Sequence, residues 1–185
     1  VKVWGFAEEI ISEDDPRKCL SILEQLFNQY DERTLQASHV HKIKSTGEYY
    51  LVRGDSTLDI LLEALQFLQI AEESLPLSYH VTIGVTTGPV VMAVLGSTRL
   101  NYDCFSSTVN LASRLCTSAE PSTIQITEDT VNFLNERNQD LSLRFIARPE
   151  KVNLKGIKIA QTYYVESADF IFNIPPMNTK NESTS

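Results

Sequence analysis

The apolar positions of this chain alternate between two spacings, and each change of spacing predicts a boundary between elements. Val1 to Phe6 reads as a short strand. Ser12 to Pro16 reads as a helix start, because the carboxylates Glu13, Asp14 and Asp15 favour the positive end of a helix dipole. Leu20, Leu23, Leu26 and Phe27 then recur at helical spacing. His39 to Ser45 and Glu48 to Arg53 predict two strands joined around Ser45-Thr46-Gly47, and Leu58 to Ala71 predicts a well-buried helix. His80 to Thr86 and Pro89 to Leu95 predict a second β pair around Thr87-Gly88, where glycine admits the turn. A helix from Ser106 to Cys116, a strand from Thr123 to Ile126 and a short helix capped by Thr127 come next. Leu141 to Ile146 and Thr162 to Glu166 close the sheet. The β-α-β-β-α-β order implies an α+β fold, a ferredoxin-like sandwich.

The pattern assigns residues 1–166 to one domain and residues 167–185, with two adjacent prolines and a polar end, to a linker or disordered tail. A length of 185 residues, 42% hydrophobic and 22% charged, is that expected of one globular unit. No run approaches the length of a membrane span, and Val1 does not begin a signal peptide. The abrupt start without Met fits a domain of a longer protein, so a membrane anchor is expected only outside this segment. A formal charge of -8 leaves no basic stripe for nucleic acid. Cys19, Cys104 and Cys116 form no CxxC pair and are odd in number, which favours reduced thiols and a cytoplasmic setting, with Cys19 facing the core. His39, His41 and His80 lie on strand-like segments without metal-ligand spacing and are read as structural.

Asn101 to Arg114, NYDCFSSTVNLASR, concentrates the candidate chemistry. Asp103 is expected to end a loop, and Ser106 or Ser107 to cap the helix that follows. Asn110 and Arg114, four residues apart, then project side by side. A guanidinium fork beside an amide suits a phosphate. On spacing alone these would equally be a turn aspartate, a buried amide and a solvated arginine.

The pattern YDxxxxTVNxASR resembles the signature of the class III nucleotidyl cyclases, the adenylyl and guanylyl cyclases. Similarity recurs in order at WGF from Trp4, KIKSTGEYY from Lys42, IGVTTGPVVMAVLGS from Ile83 and LKGIKIAQTYYV from Leu154. The resemblance implies the same α+β sandwich, and an active site shared between two catalytic domains that use Mg2+ or Mn2+. In that reaction the 3'-hydroxyl attacks its own α-phosphate and pyrophosphate leaves.

Carried over residue by residue, Lys44 matches the purine-reading lysine and Asp103 its partner, a donor and acceptor pair that complements adenine. Asn110 matches the residue that orients the ribose, and Arg114 the one that neutralises charge on the α-phosphate. Where the family often has KGKG, this chain has Lys155-Gly156-Ile157-Lys158, so Lys158 is the substitute at the polyphosphate. The two metal-binding aspartates are replaced by Lys2 and Glu48, so no metal ligand is assigned to this chain. Ser106-Ser107 stands where the family usually has Gly-Asp or Gly-Asn.

Intact base and transition-state residues beside lost metal ligands resemble the metal-free second half of a two-domain adenylyl cyclase. Such a half needs a metal-bearing cyclase domain, in the same or another chain, to form an ATP site. Two other readings stay open. One is a catalytically silent cyclase-like module that regulates or dimerises, which the lost metal positions fit. The other is half of a guanylyl cyclase, which Lys44 and Asp103 disfavour.

Overall fold

A computed structural model of the chain describes residues 1–12, 15–137, 143–149 and 161–167. The chain enters through strand β1 (Lys2–Trp4), turns at Gly5 (φ +91°) and continues in helix α1 (Phe6–Ser12). Helix α2 (Pro16–Gln36) starts where Asp15 accepts a hydrogen bond from the Arg17 amide and Pro16 occupies the first turn, which needs no N–H there. The expected helix start at Ser12 is therefore two helices. Cys19, Leu23, Leu26, Phe27 and Tyr30 form the buried stripe of α2, whereas Leu20 is half exposed.

Strands β2 (Val40–Thr46) and β3 (Tyr49–Gly54) form the predicted hairpin, with Gly47 at φ +55° in its turn. His39 falls in the turn before β2 rather than on the strand. Helix α3 (Thr57–Ser74) follows, capped by Ser56 on the Asp59 amide. Strand β4 (His80–Val85) comes next and pairs with β1. These four strands lie in the order β2-β3-β1-β4, and β1 is antiparallel to both of its neighbours. This is the strand arrangement of the expected ferredoxin-like βαββαβ unit. Strand β7 (Thr123–Thr127) adds parallel to β4, and β9 (Thr162–Ser167) and β8 (Leu143–Ala147) complete a seven-stranded sheet. Strand β9 runs through Ser167, one residue past the expected domain end; residues 141 and 142 and the tail from residue 168 lie outside the described residues.

One expected pairing is wrong. Strand β5 (Val91–Leu95) does not return along β4, because β1 and β7 already occupy both edges of β4. It pairs instead with β6 (Asn101–Phe105) as a separate two-stranded ribbon. Asp103, expected in a loop, is therefore a strand residue in register with Ala93.

Alternation along β4 gives the sheet its two faces. Val81, Ile83 and Val85 join Leu61, Leu65, Leu68 and the α5 residues Val131 and Leu134 in one core, so α2, α3 and α5 (Glu128–Asn135) cover that face. Tyr30, Tyr50, Phe27 and Phe67 form an aromatic cluster within it, with ring centroids as close as 4.4 Å. Thr82 and Gly84 point to the other face, where helix α4 (Ser107–Ser118) lies. Among the described residues no helix is long and apolar enough to cross a membrane.

Candidate functional site

The site is built on the face that carries α4. Lys2 is in register with Tyr49 and Thr82, and Tyr49 with Thr46, so these residues share that face with Lys44, two positions before Thr46. The ladder between β2 and β3 is irregular between Lys42 and Lys44. That irregularity sends the two lysines opposite ways. Lys42 bonds Asp31 of α2 on the helix-covered face at 2.6 Å, and Lys44 reaches across to the β5-β6 ribbon.

There Lys44 Nζ donates to Asp103 Oδ2 at 2.6 Å, while the Cys104 amide donates to Oδ1 at 2.8 Å. The Lys44 ammonium, and after it the Cys104 amide, hold the Asp103 carboxyl below the usual aspartate range, against the opposing effect of burial. The lysine is more open than its partner, with 39% of its side chain exposed against 13% for Asp103. A ligand can thus meet the lysine's remaining donors from solvent.

Immediately after the strand, Ser106 caps α4 by accepting from the Val109 amide at 3.2 Å, as expected. The start of α4 is tied again to the loop after β4, since Thr86 Oγ1 donates to the Thr108 carbonyl and Thr108 Oγ1 to the Pro89 carbonyl. Leu115 and Cys116 are buried under the helix, so Asn110 and Arg114 lie on its outward stripe. Neither side chain makes a hydrogen bond or ion pair with another described residue. A guanidinium left free in this way is available to an external anion.

The positions at which the resemblance leads one to expect metal ligands, Lys2 and Glu48, hold an ion pair. Lys2 Nζ lies 3.3 Å from Glu48 Oε1 and 3.3 Å from the Trp4 ring centroid, with the Tyr49 ring at 5.5 Å. Magnesium and manganese require several oxygen ligands, and the Lys2 ammonium on the Glu48 carboxylate supplies positive charge instead. Among the described residues no cluster of three or more His, Cys, Asp or Glu is placed to hold a metal. The residues present do not fit a divalent ion.

Of the predicted site residues, the structure brings Lys44 and Asp103 together and places Asn110 and Arg114 on one helix face. Lys158 lies outside the described residues. The sequence reading missed Gly84, where a Cβ would meet Ala112 O at 2.1 Å and Cys116 N at 2.6 Å. The available signal was a glycine inside an otherwise β-branched strand, which marks close approach of another backbone.

The family described as Adenylate and Guanylate cyclase catalytic domain matches residues 2–167 of this chain. An adenylate cyclase of Mycobacterium tuberculosis is 30% identical over 177 residues, covering 88% of this chain and 37% of that protein. Guanylate cyclase 2G of Mus musculus is 31% identical over 149 residues, covering 71% of this chain and 13% of that protein. The chain therefore spans a minor part of the relatives it matches. Among solved structures, the guanylate cyclase domain of RhGC from Catenaria anguillulae, in complex with GTP, has a similar fold. Its TM-score is 0.75 at 21% identity, with 90% of this chain and 92% of that one covered.

Proposed function

The chain belongs to the adenylate and guanylate cyclase catalytic domain family, and we propose that it is the metal-free half of a paired site that converts ATP to cyclic AMP and pyrophosphate. The observation that carries this reading is the Lys44 to Asp103 contact beside the Lys2 to Glu48 pair. One ion pair offers a base-reading surface; the other removes the metal positions. Adenine presents an acceptor at N1 and a donor at its 6-amino group, which a lysine and a carboxylate complement. Guanine presents the reverse. Because relatives of both kinds match the chain, the base preference is argued from this pair alone.

In the reaction the 3'-oxygen bonds to the α-phosphorus, the bond to the bridging oxygen of pyrophosphate breaks, and the hydroxyl proton departs. Arg114 meets the charge that develops on the α-phosphate, and Asn110 holds the ribose so that the attack is in line. Magnesium or manganese, which offsets polyphosphate charge when bound, belongs to the partner domain. The partner is a second, metal-bearing cyclase domain. Exposed apolar side chains on one face of the β5-β6 ribbon support pairing: Val91 and Phe105, in register with each other, are 65% and 44% exposed.

Base choice tests the reading. In the paired complex ATP should be the better substrate, and Lys44→Glu with Asp103→Cys should shift preference toward GTP. A parent complex that favours GTP, or a double variant with unmoved preference, would remove the adenylyl assignment.

A further inference from the structure

Beside its seat on Gly84, helix α4 is also fixed to the sheet by polar contacts of Trp4, Thr82 and Cys116. The Trp4 indole Nε1 donates to Thr82 Oγ1 at 2.8 Å. Thr82 is fully buried, and its hydroxyl lies 3.5 Å from Cys116 Sγ, while the Cys116 thiol donates to the Thr82 carbonyl at 3.0 Å. A chain of polar contacts thus runs from β1 through β4 into the last turns of α4. Cys116 sits two residues after Arg114, so it faces the strand while the guanidinium faces outward. The indole itself is clamped between the Lys2 ammonium, 3.3 Å from its ring centroid, and the His80 ring at 6.0 Å and an interplanar angle of 11°.

We propose that Trp4 and Thr82 are positioning residues for Arg114, acting through Cys116 as a brace that sets the depth and rotation of α4. Lys2, which displaces a metal, has a second task here: it holds the indole in the plane from which its N–H reaches Thr82. The proposal rests on the role given to Arg114 above. Loss of the brace leaves Ala112 and Leu115 seated on Gly84 and the helix capped at Ser106, but loosens the last turn at Cys116 and with it the helix rotation that aims Arg114. The transition-state contact is then weakened, while Lys44 and Asp103, on β2 and β6, read the base as before.

The test is a double-mutant cycle in the complex of this chain with a metal-bearing cyclase domain, run beside amide hydrogen exchange on this chain. Trp4→Phe keeps the ring and the cation contact but removes the N–H donor. It should lower turnover about fivefold with the Michaelis constant for ATP unchanged, and should add almost nothing in an Arg114→Ala background. Exchange at the amides from Ser113 to Ser118 should quicken in Trp4→Phe and in Thr82→Val, with the strands of the sheet unaffected. Equal losses of turnover in both backgrounds, or unchanged exchange in α4, would overturn the brace. A silent parent complex would count against the proposed function, and the exchange arm would still decide the brace.

Discussion

Replacing Gly84 by Ala probes how tightly Arg114 is placed. The added methyl would stand 2.1 Å from the Ala112 carbonyl, 2.6 Å from the Cys116 amide and 3.0 Å from Leu115 Cβ. The first contact is about 1.3 Å short of the 3.4 Å at which ordinary contact begins. The two closest atoms belong to helix backbone, which cannot rotate aside as a side-chain tip would. The strand cannot retreat either, because Ile83 and Val85 on its other face are packed in the main core. Helix α4 must therefore lift by roughly an ångström. Overpacking of this kind costs about 1–3 kcal/mol, to be read as a lowered melting temperature. A displacement of that size at a reacting group costs about a hundredfold in rate. In the paired complex Gly84→Ala should thus lower turnover by about two powers of ten, with a small change in the Michaelis constant because Lys44 and Asp103 are on other elements. A variant that melts with the parent and turns over at the parental rate would show that α4 is not seated on Gly84.

Two further outcomes follow from the same geometry. Arg114→Ala should lower turnover by about two to three powers of ten with little change in apparent substrate affinity, because the contact proposed for it strengthens in the transition state; Asn110→Ala should act in the same direction more mildly. Acid titration reports on the Lys44 to Asp103 pair: the Asp103 carboxyl is held low by Lys44, so its stabilising contribution is complete above the unfolded aspartate value of about 4 and is lost as pH falls through the depressed folded value. Carboxyl-carbon NMR should show the Asp103 midpoint rising in Lys44→Met, and an unmoved midpoint would mean that the pair does not form in solution.

Local signals made much of the fold legible. Caps at Ser106 and Thr127, the β2-β3 hairpin around Gly47 and most of the α2 stripe, though not Leu20, rest on neighbouring residues and match the expectation. The partner of β5 was not legible, because pairing across Thr87-Gly88 looks as favourable locally as pairing with β6. What decides it is that β1 and β7 fill the edges of β4, a fact of tertiary arrangement. The position of Asp103 on a strand depends on the same tertiary fact. At the site, motif resemblance supplied Lys44 and Asp103, but not the direct contact between them, which depends on an irregular ladder and a ribbon that spacing does not reveal. The Trp4, Thr82 and Cys116 contacts join three segments far apart in sequence, and nothing in any one segment announces them.

The central claim is tested most directly by complementation. This chain alone, with magnesium or manganese and ATP, should make no cyclic nucleotide, since on the proposed reading Lys2 and Glu48 form an ion pair at the metal positions. Mixed with a metal-bearing cyclase domain, it should give cyclic AMP formation that neither domain gives alone and that Arg114→Ala lowers by about two to three powers of ten. Turnover by the purified chain without a partner, or a mixture that forms the dimer and stays silent, would contradict the account.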